Sequence, residues 1–327
     1  MFLNCHSFHS LRYGTISVED LVKTAAKNGV RTLALTDINT VTGIYDFYRE
    51  CLLHQIKPIV GMEVRVANDL YYICLAKNPK GVEEINRMMT AYNCEGVEIP
   101  KQNPVFTDVT VIYPLKNAPE NLSESEFIGI RPDETNFLVQ RERKHQISKM
   151  VVLQPIVFQT KEDYNLHRIL RAIDGNTLVS NLTEEEICSK NDFMKPVPEV
   201  LRPFRNYPRI IENTNAVADA CSFTYEFKVP RTKKYFTESK ESDEDLLRSL
   251  AYEGFKKRYS DDNVQAKQRI EKELKVISKL NFSGYFLITW DVVQYSNHRG
   301  FMHVGRGSGA NSIVSYCLGI TDICPIE

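Results

Sequence analysis

Strand-like and helix-like stretches alternate along the first part of the chain. Residues 2–6 read as a first strand. Ser17, with Asp20 three residues on, caps a helix in which Leu21, Val22, Ala25 and Ala26 recur at helical spacing until Gly29. Residues 31–36 form a short apolar run that predicts a buried strand, and a helical pattern follows over 44–53. Further strands are predicted over 58–66 and 71–76, a helix over 82–92, and strands over 109–113 and 150–158. Thr160 and Asp163 open a helix whose apolar stripe is Tyr164, Leu166, Ile169, Leu170 and Ile173. Residues 117–136 are polar, carry Pro119 and Pro132, and predict an elaborated loop. Repeated strand–helix units predict an α/β protein, a parallel barrel or sheet with its functional residues at the C-terminal ends of strands.

Beyond a helix predicted over 210–220 the alternation stops. A basic, proline-containing stretch, Phe227-Lys228-Val229-Pro230-Arg231-Thr232-Lys233-Lys234, marks a boundary and reads as a solvated linker. The domains expected are therefore 1–225, a linker over 226–240, and 241–327. In the last of these Ser242, with Asp245, caps a helix carrying Leu246, Leu247, Leu250 and Phe255. A second helix places Ile270, Leu274, Ile277 and Leu280 inside and Glu271, Lys272 and Lys275 outside. The stretch 285–295 is apolar nearly all round and predicts a buried helix, in which Asp291 has no acid close by in sequence and reads as structural.

A glycine-rich stretch comes last: Val304-Gly305-Arg306-Gly307-Ser308-Gly309-Ala310-Asn311-Ser312. A helix-like run follows at once, with Ile313, Val314, Tyr316 and Cys317 at helical spacing and Gly319 as its stop. Such a turn exposes backbone N–H groups at a helix N-terminus, a ready site for phosphate. Arg306 can add guanidinium donors, Ser308 a hydroxyl, and Gly307 and Gly309 close backbone approach.

Composition narrows the classes. The formal net charge of −1 over 327 residues gives no global basic field to advertise nucleic acid. The first residues lack the charged and apolar regions of a signal peptide, and no stretch is long and apolar enough for a membrane span, so a cytoplasmic protein is expected. The eight cysteines are scattered without a CxxC pair, as in a reduced compartment. The last residues, Ile326-Glu327, follow a proline turn, which predicts a chain truncated in mid-domain.

Several motifs in order carry a resemblance. Asn281-Phe282-Ser283-Gly284-Tyr285-Phe286-Leu287-Ile288, the glycine-rich loop, and Ile320-Thr321-Asp322-Ile323-Cys324-Pro325 resemble the start of the palm in the C-family replicative polymerases of bacteria, the DNA polymerase III alpha subunits. That family usually has a longer Gly-Pro-Gly lead into the loop than Val304-Gly305. The resemblance implies that Arg306, Gly307, Ser308 and Gly309 bind the triphosphate of an incoming dNTP. It also implies that two Mg2+ ions are held by palm aspartates beyond Glu327, so that these 327 residues alone would not catalyse extension. Primer–template DNA would be the partner, with a sliding clamp and a proofreading exonuclease subunit as further ones.

The first part of the chain resembles the PHP domain, a distorted seven-stranded barrel that precedes the palm in those polymerases. Asn4-Cys5-His6-Ser7, Leu35-Thr36-Asp37-Ile38 and Val60-Gly61-Met62-Glu63 sit at three of its motifs. A PHP phosphoesterase holds a metal cluster with histidines and carboxylates. Here Asn4, Tyr13, Ile38, Tyr71 and Gln154-Pro155-Ile156-Val157 stand where the family has ligands. His6, Asp37 and Glu63 are what remains, a vestigial set that would hold at most one weak Zn2+ or Mn2+. His9 and His167 read as structural. Three roles for the barrel are left open: a scaffold, a metal-dependent phosphoesterase or 3′–5′ exonuclease, and a docking platform for a separate exonuclease.

Overall fold

The computed structural model describes residues 1–102, 104–139, 146–229 and 233–326, and divides the chain into two compact units, Met1–Glu226 and Phe227–Glu327. Of the expected linker, Pro230, Arg231 and Thr232 lie outside the described residues, as does Glu327.

In the first unit the strands are β1 (Asn4–Cys5), β2 (Thr32–Leu35), β3 (Lys57–Val66), β4 (Asp69–Ala76), β5 (Val109–Pro114), β6 (Glu126–Ile130), β7 (Met150–Val152) and β8 (Pro155–Ile156). The helices are α1 (Val18–Lys27), α2 (Ile44–Leu53), α3 (Pro79–Thr90), α4 (Tyr164–Asp174), α5 (Val197–Leu201) and α6 (Pro208–Ala220). Strands β2 to β7 pair in sequence order. β1 pairs in parallel with β8 and is joined to β2 by the Phe2–Leu33 bridge and by the Thr36 N–H on the Cys5 carbonyl at 2.8 Å. The sheet thus curls into a distorted half-barrel. β7 and β8 are two pieces of one bent run, so the strand expected over 150–158 is interrupted at Leu153-Gln154.

Two expectations are corrected. The sheet is not all parallel: β4 runs antiparallel to β3 and to β5. A two-residue connection, Ala67-Asn68, turns β3 directly into β4, with Ala67 in the left-handed region at φ +53°. The segment 117–136 is not all loop either, because it contains β6. Ile128 and Ile130 of that strand are buried, and its short length hid it among polar neighbours.

Helix α1 forms as read, with Ser17 accepting from the Asp20 N–H and Leu21, Val22 and Ala25 buried. Helix α4 does not. Three residues of its predicted apolar stripe, Leu166, Ile169 and Ile173, are 46, 47 and 59% exposed and Tyr164 and Leu170 half-buried, while His167 is fully buried beside Arg171 and Ala172. Inside the sheet lies an apolar layer of Ala34, Ile59, Ile73, Leu75, Ile112, Val151 and Leu153. Alternate residues of a strand share a face, so Ile59, Gly61, Glu63 and Arg65 follow one another inward along β3. The polar site begins where this apolar layer ends.

The second unit is helical: α7 (Lys240–Arg258), α8 (Val264–Lys279), α9 (Ser283–His298) and the short α10 (Ile313–Cys317). Ser239, not Ser242, caps α7, and Asp243 behind it accepts from the N–H groups of Phe236 and Thr237. Leu247, Phe255, Ile270, Leu274, Ile277, Leu287, Ile313 and Val314 make its core. Gly254 is required there, since a Cβ would sit 1.8 Å from the Cys317 carbonyl oxygen. The expectation of a buried α9 is corrected. Tyr285, Val292 and Tyr295 are 58–62% exposed, and only Ser283, Gly284, Leu287 and Val293 are buried.

Candidate functional site

The C-terminal end of the curled sheet holds a chain of polar side chains around a cavity of about 70 Å³. Asp37 follows β2. Its carboxylate accepts from the Ser7 N–H at 2.6 Å, the Ser7 hydroxyl at 2.8 Å and the Ser10 hydroxyl at 2.7 Å. With its one proton given to Asp37, Ser10 Oγ accepts from the Ile38 N–H at 3.1 Å and from His6 Nδ1 at 3.1 Å, so that Nδ1 carries a proton as well as the Nε2 that faces Glu63. His6 Nε2 lies 3.2 Å from Glu63 Oε2, and the Asn4 amide donates to the same oxygen at 2.7 Å. Arg65 Nε donates to Glu63 Oε1 at 2.5 Å, and its guanidinium lies over the Tyr13 ring and donates to the Tyr13 hydroxyl at 3.0 Å. Glu63, His6 and Asn4 are each no more than 2% exposed.

His6, Asp37 and Glu63 therefore share one network, but Asp37 is a step behind, reaching His6 only through Ser10. Burial alone would raise the Glu63 carboxyl, yet the Arg65 charge and then His6 outweigh it and hold the group well below the usual carboxylate range. Burial would likewise lower Arg65, and Glu63 keeps it charged. Arg131 pairs with buried Asp192 at the cavity's edge. Burial lifts the Asp192 carboxyl to about 6 against the pull of Arg131.

The residues do not fit the metal cluster that a PHP barrel implies. Each oxygen of Asp37 and Glu63 already accepts a hydrogen bond. A divalent ion placed about 4 Å from the Arg65 guanidinium would meet a repulsion of roughly 8 kcal/mol at an effective dielectric of about 20. Ile38 and Val157, at two expected ligand positions, join an apolar cluster with Tyr13, Phe158 and Cys188. Tyr71, expected at a third, falls at the register shift between β3 and β4 and packs away from the cavity beneath Lys101. Among the described residues no three His, Cys, Asp or Glu side chains converge as a metal site.

His167 is a structural histidine with both nitrogens used. Nδ1 faces the Tyr13 carbonyl at 2.7 Å and Nε2 accepts the Cys188 N–H at 3.0 Å. Burial, only partly opposed by the Tyr13 bond, lowers it to about 4. Sequence reasoning missed Arg65, Arg131 and Asp192. Arg65 carried a usable signal: an arginine two residues after Glu63 on a strand must point to the same inner face. Asp192 had none, since only folding brings its loop to the barrel mouth.

In the second unit the glycine-rich loop is exposed from Arg306 to Gly309, with Gly307 at φ +80°. The helix expected from Ile313 forms, but it is short and does not start at the glycines. Ser308–Asn311 form a 3-10 turn, Ser312 is extended, and α10 has only five residues. Its N-terminus is occupied: Glu273 of α8 accepts from the Ser312 hydroxyl at 2.7 Å and the Val314 N–H at 3.4 Å. With that carboxylate in place the helix end adds nothing to a phosphate site. The N–H groups of Ser308 and Gly309, which open the 3-10 turn and have no acceptor within it, are the available donors. Arg269 pairs with Glu273 and donates to the Asn311 carbonyl at 2.9 Å, fastening the base of the loop to α8.

Two family models match this chain: the PHP domain over residues 3–117 and the bacterial DNA polymerase III alpha NTPase domain over residues 245–327. The DNA polymerase III subunit alpha of Halalkalibacterium halodurans is 30% identical over 99% of this chain. The chain is a relative of the bacterial DNA polymerase III alpha subunits. The alpha subunit of Bacillus subtilis is 27% identical over 99% of the chain, and an error-prone DNA polymerase of Symbiobacterium thermophilum 26% over 99%. The chain spans about a third of the length of these alpha-type relatives, 32–34%, and matches their N-terminal part. The curled α/β unit is a PHP domain, and among the described residues no helix is long and apolar enough to cross a membrane.

Proposed function

We propose that these residues are the N-terminal part of a DNA-directed DNA polymerase of replication, acting in the cytoplasm on primer–template DNA and dNTPs. The observation that carries this is the order of the two matches on one chain, a PHP domain and then the alpha-subunit domain, with polymerases aligned across nearly all of it. Magnesium would be held by acids outside these residues, and Asp291, exposed on α9, is not one of them. Arg306, Gly307, Ser308 and Gly309 would receive the triphosphate once the rest of the active site surrounds them, through loop N–H groups and the Arg306 guanidinium. The barrel is read as a scaffold, because Arg65 already neutralises Glu63 where a phosphoesterase would need ions.

The test joins the chain to the remaining length of such a polymerase. Template-directed incorporation is expected from the joined protein and not from residues 1–327 alone. Ser308→Trp should raise the KM for nucleotide and leave DNA affinity nearly unchanged, because duplex is held chiefly by phosphate contacts elsewhere. Normal nucleotide KM with weakened DNA binding would reassign the loop. A second reading of the barrel, as a platform for a proofreading exonuclease, is favoured by the exposed aliphatic face of α4. Leu166→Glu with Ile169→Glu should abolish co-purification with such a subunit if that face is the contact.

A further inference from the structure

We propose that Arg269 of α8 is a positioning residue for the glycine-rich loop. It staples the loop's exit and the turn at Pro325 to one helix, and so keeps the N–H groups of Ser308 and Gly309 aimed at a triphosphate. Arg269 has this role only if the loop is the triphosphate seat proposed above.

The loop cannot hold itself. Arg306 to Gly309 are exposed, Gly307 lies in the left-handed region at φ +80°, and a Cβ on Gly307 or Gly309 would meet nothing within 4 Å. No neighbour packs against these glycines, whose backbone is the least restricted of any residue. The loop's shape has to come from its two ends. Its entry packs against residues 319–321: a Cβ on Gly305 would sit 2.9 Å from the Ile320 carbonyl oxygen and 3.0 Å from Cβ of the buried Thr321. Just ahead of it, His303 Nε2 lies 3.4 Å from the Gly319 carbonyl oxygen. Its exit is held by Arg269. Nη2 donates to the carbonyl of Asn311, the last residue of the 3-10 turn, at 2.9 Å, and Nη1 to the Pro325 carbonyl at 2.5 Å. One guanidinium therefore ties the loop's exit to the far end of the stretch on which its entry packs.

Only an arginine can do this. Nε donates to Glu273 Oε1 at 3.1 Å, one turn along α8, and Glu273 Oε2 takes the Ser312 hydroxyl at 2.7 Å. The carboxylate fixes the plane of the guanidinium, and the two remaining nitrogens then meet two carbonyls in directions set by that plane. Lysine keeps the charge but is a point donor on a flexible stem, without the rigid fork. None of these bonds goes to residues 306–309, so Arg269 acts on nucleotide through the backbone of the 3-10 turn. Without the staple, that turn must be ordered when nucleotide arrives, and fixing one backbone residue costs about tenfold in affinity.

The experiment uses the joined polymerase for kinetics and the 327-residue chain for the loop. Arg269→Ala should raise the KM for dNTP about tenfold, with kcat and primer–template Kd within about twofold of wild type. Arg269→Lys should fall between the two. In the 327-residue chain, amide NMR relaxation should show Ser308 and Gly309 less ordered in Arg269→Ala, with the barrel amides unchanged. An unchanged KM in Arg269→Ala beside a raised KM in Ser308→Trp overturns the positioning role and leaves the loop reading intact. An unchanged KM in both overturns the loop reading, and the positioning role with it. Equal weakening of DNA and nucleotide by Arg269→Ala marks a general structural role and overturns the proposal. Ser308 and Gly309 amides as ordered as in wild type do the same, and Arg269→Lys matching wild type shows that charge suffices and overturns the staple. Should Arg269→Ala fail to fold, Arg269→Gln, which keeps one donor, carries the same test. Failure of both to fold makes the residue structural and overturns the proposal.

Discussion

His167 makes the barrel's stability depend on pH in a defined direction. It is fully buried, Nδ1–H donates to the Tyr13 carbonyl, and Nε2 accepts the Cys188 N–H, so the neutral ring satisfies both neighbours. A proton on Nε2 would set N–H against N–H and bury a charge near Arg171 and Arg65. Its folded value of about 4 lies below the ordinary 6.5. Above pH 6.5 neither the folded nor the unfolded chain binds this proton, and the contribution is intact. As pH falls through 6.5 toward 4 the unfolded chain takes a proton that the fold refuses, and stability is lost. Between pH 8 and pH 5 this one residue should remove about 2 kcal/mol, reaching roughly 3 kcal/mol by pH 4. Urea unfolding of wild type and His167→Asn, followed on the barrel unit at several pH values, isolates the effect in the difference curve, because the carboxylates are common to both. A flat difference curve between pH 8 and 5, or a His167 ring resonance titrating near 6.5 in the folded protein, would refute the reasoning.

Two further predictions concern the helical unit. Gly254→Ala would drive a Cβ to 1.8 Å from a backbone oxygen of α10, which no rotamer change relieves. It should cost about 3 kcal/mol or more, read as a lowered denaturation midpoint for that unit. Glu273→Ala removes the acceptor for the Ser312 hydroxyl and the Val314 N–H and releases Arg269. A loss of about 1–2 kcal/mol is expected, with faster amide exchange at residues 312–315 and little change in the barrel.

Much of the fold could be read from periodicity. The Ser17 cap, the 44–53 helix and the buried strands 31–36 and 58–66 are local patterns that tertiary contacts did not overrule. Three elements misled. The short strand Glu126–Ile130 shows too few alternations to stand out from a polar surround. The aliphatics of α4 looked like a core stripe, but the core at that point wanted His167 and Arg171, which have hydrogen-bond partners across 154 residues and more locally. Helix α9 is hydrophobic nearly all round, yet presents Tyr285, Val292 and Tyr295 to solvent.

By itself the sequence determined which residue types stand at the ligand positions of the PHP pattern. Asn4, Ile38 and Val157 are not the ligands that a metal cluster needs, and His6, Asp37 and Glu63 were visible as its remnant. The sequence also determined the two-part order of the chain, because each part carries its own local motifs. Only the tertiary structure decided which charges meet at those positions. Arg65 comes to Glu63 through strand parity, a register shift and the Asn39 side chain, and Asp192 comes to Arg131 across 61 residues. A buried charge is stable only beside its partner, and which partner it meets is fixed by strand register and loop path, which the closing of the sheet sets.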